Sequence, residues 1–265
     1  MMKFLERLNI RLLGVYLFIF AVMLSIAGHF DQYGTFSLKQ LFDDYYANLG
    51  AELGSIALTI LLIDRLNEVR DEKYEKQRLI RHMGSRYNMI SLQAVEELHL
   101  LGWLEDGTVK NAYLGEADLQ HANMPRAILN GSYMVRTNLE GARLFESNMQ
   151  DAEMFQINLR NCNLQRAHLR HANMAGAQLQ GADLRDANLQ DANLAGADLR
   201  GANLLGANLT YAKLQNADLT HALVTEQQLS QVEMLQGATL PTGQPYDGRF
   251  NLTGDRNAMV YQAFN

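Results

Sequence analysis

His168 and His171, three residues apart, are the nearest this sequence comes to a metal site. Zinc takes four closely spaced nitrogen, sulfur or carboxylate ligands, and no cysteine or carboxylate set stands at ligand spacing beside the two histidines. No glycine-rich phosphate loop and no nucleophile–base–acid set is present. Cys162 is the only cysteine, which excludes an intramolecular disulfide and fits a reducing compartment. The carboxylates are many but evenly spread, as solvating groups are. One ionisable residue stands apart: Glu52, inside an apolar run. These residue types predict no enzyme, no metal, no cofactor and no small-molecule substrate.

The elements that would position such groups begin with apolar segments. The 265 residues are 48% hydrophobic at a net charge of −6, with a mean hydropathy of −0.19, so the apolar content is patterned. The slight acidity makes nucleic acid a poor partner. Leu12 to Ala27 is uncharged and extends to Phe30; a second apolar run covers 45–63. Each approaches the roughly 20 residues that span a bilayer, and together they predict a transmembrane hairpin over residues 1–63, with the lipid bilayer as a partner. The alternative for the first run is a signal peptide, since Lys3, Arg7 and Arg11 precede it. Lys and Arg number three in residues 1–11, one in 29–44 and six in 64–81, which places both termini in the cytoplasm of a cell-membrane protein. Glu52 then lies about 10 Å inside the outer boundary, a candidate functional group by its cost. Ser25 on the first helix is its candidate partner; the alternative is snorkelling to the headgroups.

Residues 64–101 read as a helical stalk and N-terminal cap, rich in helix formers and free of proline. Gly84-Ser85 predicts a break, with Ser85 as N-cap of a second helix ending near Leu101.

From residue 114 to residue 219 every fifth residue is Leu or Met, 22 positions without exception. Two residues earlier stands a small residue, usually Ala; immediately before the centre stands Asn or Asp most often. Such a period fits neither a helix, where centres would rotate by about 140° each, nor a straight strand, where they would alternate sides. All centres face inward only if the chain turns a corner between short extended pieces. The small residue then shares the inward side, while Asn or Asp faces out to satisfy turn backbone. Gly176, Gly181, Gly196, Gly201 and Gly206, two past the centre, suit corners that need unusual dihedrals.

The stretch from Ala182-Asp183-Leu184-Arg185-Asp186 to Ala217-Asp218-Leu219 resembles the A-(D/N)-L-x-x motif of the pentapeptide-repeat family. The resemblance implies an all-β, right-handed quadrilateral β-helix with four repeats per coil. The strict repeats would rise about 26 Å at the usual strand spacing. The solenoid is expected over 102–224, and a capping helix with a polar tail over 225–265, where Thr225-Glu226-Gln227-Gln228 reads as a capping box. Ile157, in a small-residue slot, predicts a local bulge or widened coil. Cys162, in another such slot, is expected to be a buried, inert thiol. With four repeats per coil, His121 and His221 share a face but lie about five coils apart, too far to share a metal.

Residues twenty apart also gather a poorly charged stripe: Val135, Phe155, Ala175 and Ala195, with Tyr113 and Tyr133 on the same face. This is the candidate surface for a protein partner or for self-association. The leading expectation is therefore a membrane-anchored, non-enzymatic interaction or scaffold protein presenting a cytoplasmic rod. Some family members resemble a DNA duplex and inhibit type II topoisomerases, which is the first alternative; residues 112–225 carry 11 acidic and 9 basic residues, too near neutral for such mimicry. An oligomeric membrane conduit or sensor built on Glu52 is the second.

Overall fold

A computed structural model describes residues 46–250 and Leu252, with Tyr16, Ile19 and Met23 as isolated helical positions, and the side chains of the first long helix from Gly54 onward. Apart from those three positions, the apolar run 12–30 with Ser25, and the side chain of Glu52, lie outside the described residues. The chain divides into two compact units, Met1–Glu75 and Lys76–Asn265. The second unit thus takes in residues 76–101, which the sequence assigns to a stalk.

Helix α1, Tyr46–Met83, runs from the second apolar segment into the charged one without a break, as its proline-free sequence allows. Among the described residues no helix is long and apolar enough to cross a membrane. Helix α2, Asn88–Leu100, follows a short turn. Its N-cap is Tyr87, with no side-chain cap, so Ser85 is not the cap expected from the sequence. Instead Ser85 Oγ accepts from the Tyr87 N–H at 3.1 Å, and the Ser85 carbonyl accepts from Ser91 Oγ and from the Asp118 N–H. Ser85 thereby joins the helical turn to the first coil.

Successive rungs of the solenoid pair in parallel at a spacing of twenty residues, from Tyr113↔Tyr133 to Asn203↔Leu223. The pairing step then becomes twenty-one (Lys213↔Met234, Asp218↔Thr239), because helix α3, Glu226–Leu229, occupies part of that coil. Every centre from Leu104 to Leu219 is buried, and the small slots from Ala112 to Ala217 are 5% exposed or less. Leu79, Met83, Ala94, Val95 and Leu98 belong to the same core, with Trp103 packed against it.

Each corner is a β-turn in which the small residue's N–H donates to the preceding centre's carbonyl, as in Ala117 to Leu114 at 3.1 Å. The residue two past the centre has a positive φ (60° at Glu116, 66° at Gly201), which makes the turn type II. The N–H just after the centre is met by the outward Asn or Asp, as in Gln150 N–H to Asn148 Oδ1 at 3.1 Å and Leu205 N–H to Asn203 Oδ1 at 3.2 Å. That hydrogen bond is the physical reason for the Asn/Asp preference in the repeat.

Ile157 makes no bulge. Its rung pairs through in register, Asn138↔Asn158↔Gln178, and Ile157 is fully buried. The neighbours in its column, Thr137 and Ala177, are small enough to absorb the added volume. Where Ser132, Thr137 and Ser147 replace Ala, each buried hydroxyl donates to a backbone carbonyl, so no polar group is stranded.

Both open ends are closed by a side-chain amide. Asn88 Nδ2 donates to the carbonyls of Asp118 and Gln120 at 3.3 and 3.2 Å. At the far end Gln228 Nε2 donates to those of Leu204 and Ala207 at 2.7 and 2.8 Å. Past α3 one more repeat-like turn continues the core, with Ala238 and Leu240 buried.

Candidate interaction surface

One solenoid face stacks Tyr113, Tyr133, Glu153, Asn173, Asn193 and Lys213 as successive rungs. The rings of Tyr113 and Tyr133 lie 4.8 Å apart and within 5° of parallel. That distance matches the strand spacing, so the backbone ladder itself holds the rings in contact. Room for the pair depends on Gly115, since a Cβ there would come 2.8 Å from Tyr133 Cε1. On the after-centre side of the same face run Val135, Phe155, Ala175 and Ala195, one coil apart each. Tyr113 is 70% exposed and Tyr133 and Phe155 are 40% exposed, while Val135, Ala175 and Ala195 are half-buried. The fold brings the six candidates onto one stripe, aromatic toward the N-terminal end and small toward the other. In the polar rungs, hydrogen-bonding capacity is spent along the axis: Asn193 donates to Asn173 at 3.1 Å and Asn173 to Glu153 at 2.9 Å.

A second exposed apolar group was missed in the sequence. Leu205 and Leu223 are 43% and 52% exposed, and Leu223 pairs with Asn203, two residues before Leu205. The signal was present, because Leu223 fills an outward slot that Asn or Asp most often holds in the repeat.

The groups that could do chemistry are apart. His121 and His221 are both corner residues, at φ 59° and 60°, on one column five rungs apart. His168 sits on the rungs between Asn148 and Asn188, while His171 Nδ1 lies 3.9 Å from Asp191 Oδ2. Among the described residues no group of three or more His, Cys, Asp or Glu could hold a metal ion. On the remaining faces carboxylates serve as local partners. A hydrogen bond from Arg185 holds the Asp183 carboxyl below its usual range, and Arg200 does the same for Asp198.

Cys162 is buried, and its Sγ donates to the Leu139 carbonyl at 2.7 Å. Burial pushes the thiol from 9.0 up to about 12. With the folded value the higher, the stabilisation is whole below pH 9 and is lost as pH rises toward 12. The folded protein is therefore expected to leave a thiol-reactive dye unreacted at pH 8 and to react fully once denatured. Above pH 9 wild type should lose up to about 1.4 kcal/mol per pH unit relative to Cys162→Ala. Parallel stability curves for the two proteins in urea from pH 8 to 11 would reject the burial argument.

Residues 112–151, 152–191 and 187–225 match the family described as pentapeptide repeats (8 copies). Among solved structures, HetL of Nostoc sp. strain PCC 7120, a pentapeptide repeat protein involved in heterocyst differentiation regulation, is 23% identical. The match covers 52% of this chain and 82% of that one, with a TM-score of 0.26. A pentapeptide repeat protein from the Arabidopsis thaliana thylakoid lumen is 21% identical over 54% of this chain and 86% of its own, with a TM-score of 0.23. QnrB1, a plasmid-mediated fluoroquinolone resistance protein, is 14% identical over 59% and 89%, also with a TM-score of 0.23. No curated protein matches the chain.

Proposed function

We propose that this chain, a pentapeptide-repeat protein over residues 112–225, is a membrane-anchored interaction protein that presents a non-enzymatic rod at the cytoplasmic face of the cell membrane. The observation that carries the reading is the exposure of α1, where Ile56, Leu58, Leu61, Leu62 and Ile63 are 52%, 60%, 57%, 56% and 48% exposed. At about 100° per residue these side chains spread over about 220° of the helix circumference, so one packed protein face cannot cover them all. Hydrocarbon can. The lysines and arginines that follow from Arg65 support the inside orientation of that helix end. Glu52 and Ser25 would face each other within the hairpin, where pairing lowers the cost of a polar group in lipid.

The rod supplies a rigid face for binding, and the Tyr113–Phe155 stripe is the surface assigned to a partner or to a second copy. Its aromatic rings offer large contact area at low conformational cost.

The test uses full-length protein in bacterial membranes washed with alkaline carbonate. Wild type is expected to stay in the pellet. Leu58→Arg with Leu61→Arg should release it, at about 2.5–3.5 kcal/mol per arginine near mid-membrane. Wild type that washes off sinks the anchor. Phe155→Asp should stay in the pellet yet lower the mass of the detergent-solubilised assembly in light scattering; an unchanged assembly removes the stripe from self-association.

A further inference from the structure

The last turn of α1 and the facing side of α2 line a cleft of about 410 Å3. Leu79, Ile90 and Ala94 give it an apolar floor, and Arg78 and Arg81 bring cations and His82 an imidazole to its rim, with Ser85, Gln93 and Glu97 completing the wall. The single acid is matched, since Arg78 Nη2 donates to Glu97 Oε2 at 3.2 Å, while Gln93 donates to the other carboxylate oxygen at 3.0 Å. Arg81 and His82 engage no ion pair or side-chain hydrogen bond among the described residues. A helix C-terminus favours cations in its last turn. That field accounts for charge at those positions, but not for a cavity with an apolar floor beside them.

The volume falls in the range of small-molecule sites, about 300–1,000 Å3. A guanidinium fork, an imidazole and a serine hydroxyl are donors suited to phosphate oxygens. Ser85 Oγ accepts from the Tyr87 N–H and still has its own proton to donate. We propose that this cleft binds the phosphate group of a small organic molecule, with phosphate held by Arg81 and His82 and the organic part lying against Leu79, Ile90 and Ala94. All nine lining residues belong to the second unit, so the proposal does not rest on the membrane reading.

Full-length protein in mild detergent would be titrated calorimetrically with inorganic pyrophosphate and, separately, with dihexanoyl phosphatidic acid. Saturable binding at one site per chain is expected for at least one probe. It should weaken at least tenfold in Arg81→Gln and in His82→Gln and persist in Arg136→Gln on the solenoid. Circular dichroism melts of both cleft variants should match wild type, which separates lost binding from lost folding. Pyrophosphate binding would mark a free phosphate compound as the ligand; binding of the short-chain lipid alone would mark a lipid headgroup. No saturable binding of either probe, or binding that both cleft variants retain, overturns the proposal.

Discussion

Leu164→Ala, in the middle of the rod, is expected to lower unfolding stability by about 2–5 kcal/mol, the range for a buried Leu truncated in a core that cannot collapse. Collapse is restricted here by the backbone. Leu164 is fully buried, its N–H donates to the Asp183 carbonyl at 2.8 Å, and its column neighbours Leu144 and Leu184 are held by the same ladder. The side-chain void can close only if two coils approach, which the rung spacing forbids. Equilibrium urea unfolding measures it: a lower midpoint for Leu164→Ala, against a change within about 0.5 kcal/mol for the surface control Arg170→Ala. Two midpoints that coincide would mean the interior is loose enough to refill, contrary to the packing described. Because each coil touches only its neighbours, the loss should also uncouple the two ends of the rod and broaden the transition.

How much of this was legible in sequence differs by element. The strict Leu/Met period forced corners, and the corners forced a solenoid; both follow from one-dimensional spacing. The outward Asn and Asp were readable as turn partners because the hydrogen bond they make is two residues away. Ile157 was misread as a bulge because the room for it comes from Thr137 and Ala177, twenty residues off in each direction, and pattern along the chain gives no volume across coils. Ser85 was misread as an N-cap for a related reason. Its type and position fit a cap, but its carbonyl and hydroxyl are committed to Ser91, Asp118 and Tyr87. On the candidate surface the stripe itself was found by counting in twenties, while the stacking of Tyr113 on Tyr133, and its dependence on Gly115, needed coordinates. The Leu205–Leu223 group was open to the same counting and was passed over because neither residue breaks the centre pattern. The phosphate cleft could not be read at all, since its walls come from two helices whose crossing no local motif encodes.

Gln228 gives the sharpest test of how the rod ends. Its capping box with Thr225 was readable, and there Gln and Glu serve equally, because only a side-chain acceptor for the Thr225 N–H is needed. The structure adds a second task. Gln228 Oε1 accepts from the Thr225 N–H at 3.0 Å, and its Nε2 donates to the Leu204 carbonyl, which also accepts from the Ala207 N–H, and to the Ala207 carbonyl, which has no backbone donor among the described residues. Glutamate keeps the first role and loses the second, placing a carboxylate against two carbonyl oxygens. Gln228→Glu is therefore expected to destabilise the C-terminal coil by about 1–3 kcal/mol, the cost of leaving the Ala207 carbonyl unsatisfied, although the helix cap survives. Hydrogen exchange reads this locally. Amides of the last coils, such as Leu214 and Leu219, should exchange faster, while those of the central rungs near Leu164 keep their protection. Gln228→Leu should behave similarly and also loosen α3, which separates the two roles. Unaltered exchange in Gln228→Glu would show that the edge carbonyls need no side-chain donor and that solvent closes the rod.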